Sequence, residues 1–452
     1  MAAAPSLDPS VRSVDGGRVL LGGSPLRLLT LSKTARDILA GGAWDSRAGR
    51  ALSAKLINAG FAHPHPTGGP SIADVSVVIP VRNRHEAVRH LVAGLDPALE
   101  IIVIDDGSDP PVAGSRLRHE TSRGPAAARN AGIALASRPF VALLDSDVVP
   151  PNGWLDALLP HFSDSQLGAV APRIVTSRGG TTNWRERTLA RYDAARSPLD
   201  LGPRPARVSP GSVVSYLPAA ALVLRRSALG EGEALQVFDE GLRFGEDVDL
   251  IWRLISAGWT VRYEPAAAVG HAHRPTLRAA IAQRFGYGMS AAPLARRHPG
   301  KLTPFAGSRW TIAAWTLLAT GHPRSAAATL AAAAFRLRPT LPVERPGLLA
   351  ARLVGAGSLT AGRSAGEALT RVYAPLALPL LLAPGPARKT RRRVAVASLV
   401  VPSVLEYARR KPEVGPLPWL LLRAVDDLAY GTGVSVGCLR ERSGAALLPR
   451  VT

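Results

Sequence analysis

The chain has 452 residues, 46% of them hydrophobic and 20% charged, with a formal net charge of +21. That length is too great for one small core and fits two or three domains. A single cysteine, Cys438, excludes an intramolecular disulfide framework, and no basic segment followed by an apolar stretch opens the chain as a secretory signal would. The excess charge is mostly arginine spread along the sequence, without a helix-turn-helix signature or an aromatic platform, which argues against a nucleic-acid partner.

Residues 1–70 read as a small module with its linker. Arg18 to Gly23 and Leu26 to Leu31 form a strand pair. Ser32 caps a first helix, Ala48 to Ala59 forms a second, and Gly60 to Ala62 begins a returning strand. This is a winged-helix-like pattern, and it resembles the peptide-chaperone modules of pathways that modify ribosomally made peptides. A plain N-terminal extension packed on an enzyme is the competing reading. His63 and His65, separated by prolines, suit a solvated linker better than a metal site.

Residues 71–300 alternate strand and helix. Asp74 to Pro80 is a β-branched strand, Glu86 to Leu95 a helix, and Glu100 to Asp105 a second strand. Pro125 to Ala136 is a helix with proline in its first turn, and Phe140 to Leu144 a third, fully apolar strand. This order predicts a parallel, doubly wound α/β sheet. In such sheets ligands bind beyond the carboxyl ends of the strands, and the carboxylates fall there. Asp105 and Asp106 end the second strand, where they can accept from a nucleobase imide and a ribose hydroxyl, or merely form an Asx turn. Arg129 and Asn130 lie one turn into the following helix, where Arg129 can reach a base or a diphosphate, or pair with an aspartate. Asp145 and Asp147 end the third strand, with oxygens suited to Mg²⁺ or Mn²⁺ against a nucleotide diphosphate. Glu246 and Asp247 open another helix and can take a proton from an attacking hydroxyl, while Asp249 serves the helix start. His271 ends a later strand, as a metal ligand or as a structural histidine.

Val77 to Asn83, Asp105 to Ser108, Arg129 to Gly132, Asp145 to Asp147, Gly245 to Leu250 and His271 together resemble, in order, the family 2 glycosyltransferases. The resemblance covers roughly residues 74–290. It implies the GT-A (Rossmann-like) fold and inverting transfer from a nucleotide sugar. It further implies donor contacts from Pro80, Arg82, Asp105, Asp106, Arg129, Asn130 and Asp145. Metal ligation would fall to Asp147 and His271, and general base catalysis to Asp247 with Glu246 beside it. Processive synthases differ, because they carry Gln-x-x-Arg-Trp where this chain has Gln283, Arg284 and Phe285. Taken with the N-terminal module and the tail, the chain looks like the actinobacterial glycosyltransferases of the mycofactocin system. That narrower likeness implies UDP-glucose as donor, a peptide-derived redox cofactor precursor as acceptor and a β-1,4-linked oligoglucose product. Transfer to a polyprenyl phosphate or a cell-envelope glycan is the alternative.

Residues 301–452 are rich in Ala, Leu, Pro and Arg and read as mainly helical and basic, with one or two helices over Trp310 to Arg338. Val372 to Ala383 and Val394 to Val401 are apolar runs too short to span a bilayer, interrupted by Pro375, Pro379, Pro384 and Pro402. They flank the basic run Arg388 to Arg393. The region suits either a peripheral contact with an anionic membrane or a helical subdomain with a solvated basic face. The expected location is the cytoplasm, with the inner face of the plasma membrane as the place of any such contact.

Overall fold

The computed structural model describes residues 4–177, 183–230, 236–272, 276–376, 379, 383–385 and 388–452. The chain forms two compact units. The first holds residues 1–13, 20–181 and 196–273, and the second holds 14–19, 182–195 and 274–452.

In the first unit, β1 (Ser6–Leu7), β2 (Arg12–Val14), β3 (Val19–Gly22), β4 (Arg27–Thr30), α1 (Lys33–Leu39), α2 (Arg47–Asn58) and β5 (Ala62–His63) follow in order. Ser32 and Ser46 cap the two helices by accepting from the Ala35 and Gly49 amides. The strands form a β2-β3-β4 sheet and a separate β1-β5 pair. Ile38, Leu52, Leu56 and Phe61 bury a small core of their own. His63, read above as a linker residue, is instead buried, with Nε2 2.8 Å from Asp8.

The main sheet is built from β6 (Val75–Val81), β7 (Glu100–Asp106), β8 (Leu117–His119), β9 (Phe140–Leu144), β10 (Val148–Val149), β11 (Leu167–Ser177), β12 (Ala206–Arg207), β13 (Ala221–Arg225) and β14 (Thr260–Ala272). Its order is β10-β14-β11-β13-β9-β6-β7-β8, with β12 also on β14. Helices α3 (His85–Ala93), α4 (Pro125–Leu135) and α6 (Glu246–Ser256) belong to this region, whereas α5 (Trp184–Arg196), which follows β11 in the chain, falls almost wholly in the second unit. β6, β7, β8 and β9 are parallel, as their alternation with helices requires. The sheet is not parallel throughout. β13 runs antiparallel between β9 and β11, so the second half is mixed. The near-continuous apolar runs of β6 and β9 are buried, which fits central strands covered on both faces.

The second unit is helical: α7 (Leu277–Met289), α8 (Ala291–Arg297), α9 (Arg309–Ala319), α10 (Pro323–Leu337), α11 (Pro346–Thr370), α12 (Arg388–Arg410) and α13 (Pro416–Arg440). The tail sequence is thus helical as expected, with one correction. Val394 to Val401 is no isolated apolar run, and Pro402 does not interrupt it. Both lie inside α12, which continues to Arg410 with Pro402 buried. Part of the run Val372 to Ala383 lies outside the described residues. Among the described residues no helix is long and apolar enough to cross a membrane.

Candidate active site

The site gathers at the carboxyl ends of β7 and β9, the start of α6 and the end of β14. Each carboxylate is placed by backbone pairing. Asp145 follows β9, and its amide donates to the Ala220 carbonyl (2.9 Å) at the entrance to β13. From the same two-alanine turn, the Ala219 amide donates to Asp247 Oδ2 (3.3 Å). One small-residue turn therefore ties the strand-end carboxylates to the helix-start carboxylates.

Asp147 and His271 are brought together by β10 and β14. Val148 pairs with His271 across the strands, and the Ala272 amide donates to the Asp147 carbonyl (3.1 Å). His271 Nε2 lies 3.5 Å from Asp147 Oδ1, and Arg84 Nη1 lies 2.9 Å from Asp147 Oδ2. A carboxylate beside an imidazole is a donor pair that Mn²⁺ or Mg²⁺ accepts. Among the described residues no group of three His, Cys, Asp or Glu side chains converges as a metal cage. Asp147 and His271 offer such an ion two protein donors, one oxygen and one nitrogen.

Gly245 caps α6 with φ +79°, a left-handed turn that glycine adopts without a Cβ penalty. It delivers Glu246 and Asp247 to the first turn of the helix. Burial, then the neighbouring Asp247 charge, push the Glu246 carboxyl up to about 7 against the pull of Arg129. Burial likewise raises Asp247, opposed by the Val248 amide, which donates to its Oδ1 (2.8 Å). Asp249 is fully buried and bound to Arg253 (2.8 Å), an i,i+4 pair that serves the helix.

Several of the donor-site candidates are engaged with the protein itself. Asp105 is fully buried, and its oxygens accept from the amides of Ser108 (2.9 Å) and Val112 (3.0 Å) and from Arg118 (2.6 Å). Burial alone would raise its pKa; these bonds outweigh burial and hold it at about 2. Asp106 accepts from His119 Nδ1 (2.8 Å), Ser122 Oγ (2.7 Å) and the amides of Arg123 (2.8 Å) and Gly124 (2.9 Å). Those contacts overcome burial and lower it too. Both carboxylates thus hold their own loops. Asn130 also faces inward. Its amide group donates to the Phe238 carbonyl and accepts from the Phe238 amide, both at 2.8 Å.

Arg129 is 4% exposed and forks between Glu246 Oε1 (2.9 Å) and Asp145 Oδ1 (2.7 Å), with Phe238 5.6 Å below it. It bridges the two carboxylates inside the protein. Arg82 is exposed and Pro80 is half-buried within β6. Sequence reasoning missed Arg84, Arg118, His119 and Ser122. Arg84 stands four residues after Pro80 in a segment already singled out, but nothing in its spacing marks its partner.

The glycosyl transferase family 2 model matches residues 76–231, the span that carries β6, β7, β9 and the Asp145–Asp147 turn. Together with full-length similarity to a glycosyltransferase, this defines the class: the chain belongs to the family 2 glycosyltransferases and is a transferase enzyme. That relative is the pre-mycofactocin glycosyltransferase of Mycobacterium tuberculosis, 44% identical over 468 aligned positions, with 98% of this chain and 97% of the relative covered. Succinoglycan biosynthesis protein ExoU of Rhizobium meliloti is 30% identical over 215 positions, covering 44% of this chain and 61% of that protein. A solved mannosyltransferase of Pyrobaculum calidifontis, in complex with GDP-Man and Mn²⁺, is 18% identical with a TM-score of 0.35, over 73% of this chain and 87% of that one. Nothing about this chain's ligands follows from a likeness at that level.

Proposed function

We propose that this enzyme transfers glucose from UDP-glucose to the precursor of mycofactocin, with inversion, building a β-1,4-linked oligosaccharide. One observation carries the reading. The similarity to the pre-mycofactocin glycosyltransferase spans 98% of the chain, including the N-terminal module and the helical unit, which lie outside the residues matched by the family model.

In this reading Asp247 accepts the proton of the attacking acceptor hydroxyl. The acceptor oxygen bonds to the anomeric carbon as the bond from that carbon to the diphosphate breaks, and the electron pair leaves with UDP. Attack opposite the leaving group inverts the carbon. Burial raises the proton affinity of Asp247, which improves it as a base once ionised. Glu246, clamped by Arg129, sets the field beside it. Asp147 and His271 would hold the divalent cation, Mg²⁺ or Mn²⁺, which supplies Lewis acidity toward the leaving diphosphate when bound. Donor contacts from Pro80, Arg82 and Asp145 are part of the same proposal.

The helical unit supports a peripheral contact with anionic lipid on the cytoplasmic face. Along α12, Val396, Val401, Val404 and Leu405 are exposed, preceded by exposed Arg388, Lys389, Arg392 and Arg393. Along α13, Leu417, Leu421, Val425 and Leu428 form a second exposed stripe at helical spacing. Apolar stripes beside basic residues suit an interface between headgroups and acyl chains. The same stripes favour the second reading, transfer to a polyprenyl phosphate or cell-envelope glycan.

The deciding experiment is mass spectrometry of small-molecule extracts from a host with and without the gene. Loss of a hexose-spaced ladder of redox-active species is expected. An intact ladder with altered lipid-linked or wall glycan overturns the reading in favour of the second.

A further inference from the structure

The loops after β6 and β7 leave the sheet side by side, because Val81 pairs with Asp105 in parallel register. Asn83 turns the first of them. Its φ is +54°, in the left-handed region that asparagine enters more readily than most residues. Its amide donates to Ser108 Oγ, and its Oδ1 accepts from the Asp109 amide, both at 2.9 Å. Ser108 is held in turn by Asp105, whose Oδ1 accepts from the Ser108 amide (2.9 Å). The turn is therefore locked by the loop beside it. Arg84 follows directly, and its Nη1 lies 2.9 Å from Asp147 Oδ2.

This placement does nothing for the helix that Arg84 opens. Arg84 is the N-cap of α3 and makes no side-chain capping bond. A cation there also meets the positive end of the helix dipole. The contact with Asp147 is what the position gains. Asp147 and His271 are fixed by the pairing of β10 with β14. Arg84 reaches across on a flexible stem and is 38% exposed, against 9% for Asp147. Of the three side chains, it is the one able to move.

A divalent cation on Asp147 competes with this guanidinium for one carboxylate, and the two positive charges repel at contact distance. A nucleoside diphosphate beside the ion offers the displaced guanidinium a new anionic partner, one that its planar fork matches with two hydrogen bonds. We propose that Arg84 guards the cation site: it neutralises Asp147 while no donor is present, and it passes to the donor's diphosphate when ion and nucleotide bind. The inference rests on Asp147 and His271 being the cation's ligands, as proposed above. In it, Arg84 positions the donor and takes no part in the proton transfer.

The test uses the full chain with two probes. Mn²⁺ alone is titrated by the paramagnetic resonance signal of the unbound ion, and UDP is titrated by calorimetry at saturating Mn²⁺. Arg84→Met is expected to bind Mn²⁺ alone about 3–10 times more tightly than the wild type, since a competing cation has gone. It should bind UDP about tenfold more weakly, since a charged hydrogen-bond donor has gone. A merely structural residue would weaken both affinities when removed, so the opposite signs are diagnostic. Should Arg84→Met fail to fold, Arg84→Gln carries the same two expectations. Mn²⁺ affinity that is unchanged or weaker in the variant overturns the proposal, and so does an unchanged UDP affinity, while in both cases Mn²⁺ uptake by the wild type leaves the cation reading standing. If neither wild type nor variant takes up Mn²⁺, with or without UDP, the cation reading itself falls and the guard falls with it.

Discussion

Arg129 Nη1 lies 2.9 Å from Glu246 Oε1, so a residue of α4 fixes the first carboxylate of α6 from within the protein. The same guanidinium holds Asp145 at 2.7 Å. The end of β9 and the start of α6 are therefore one electrostatic unit, and charge changes at either end are felt at the other.

Glu246 carries the clearest pH consequence. Its pKa rises from an ordinary value of 4.5 to about 7. Between those values the native protein keeps a proton that the unfolded chain has lost, so stability falls as pH rises through that window and stays lower above it. Glu246→Gln removes this penalty. Its melting temperature should match the wild type near pH 5 and exceed it by about 2–5 °C at pH 8. Equal melting temperatures at pH 8 would show that Arg129 fully compensates the buried charge.

Asp247→Asn should lower kcat by about 10²–10⁴ while the nucleotide-sugar Kd, measured by calorimetry, changes less than about threefold. A parallel loss of donor affinity would remove Asp247 from the role of base.

Asp147→Ala should abolish transfer at every Mn²⁺ or Mg²⁺ concentration. His271→Ala should leave activity that needs about 10–100 times more metal for half-activation. Full wild-type turnover in excess EDTA would refute the cation pair.

Arg118 is the charged partner of fully buried Asp105. Arg118→Ala should cost about 3 kcal/mol in denaturant unfolding at pH 7. In the wild type, the stability from Asp105 is present above its ordinary value of 3.8 and is lost as pH falls toward about 2. In the variant, acid unfolding should begin at higher pH.

Val404→Asp combined with Leu421→Asp should reduce sedimentation with phosphatidylglycerol vesicles at least tenfold, and Arg392→Glu with Arg393→Glu should do likewise. Equal binding of the wild type to phosphatidylcholine vesicles would contradict an electrostatic contact.

The parallel strands were legible because β6, β7 and β9 are apolar runs separated by helical segments. The Asp147–His271 pair and the helix-start carboxylates were legible as residue types at strand and helix ends. The use of each lone pair was not. Asp105 and Asp106 read as ligand contacts, and the bonds they accept from Ser108, Val112, Arg118, His119 and Ser122 were hidden, two of those partners lying on the short strand Leu117–His119, which has no hydrophobic pattern. The antiparallel β13 was hidden because strand direction is set by the path of the chain rather than by composition. Pro402 misled because packing of the buried face of α12 offsets one lost backbone bond.

In the helical unit, a Cβ on Gly433 would lie 2.1 Å from the Phe285 carbonyl oxygen, and one on Gly288 would lie 2.1 Å from that of Tyr430, so α7 and α13 meet backbone to backbone. The two glycines are 145 positions apart (433 minus 288). At about 5–20 residues per second, a ribosome takes roughly 7–30 s to deliver the second helix after the first. For that interval the face of α7 that meets α13 is made but has no mate. The nascent chain should therefore depend on holding chaperones over this stretch, and translation slowed between the two helices should lower the yield of native enzyme without altering the enzyme that does fold.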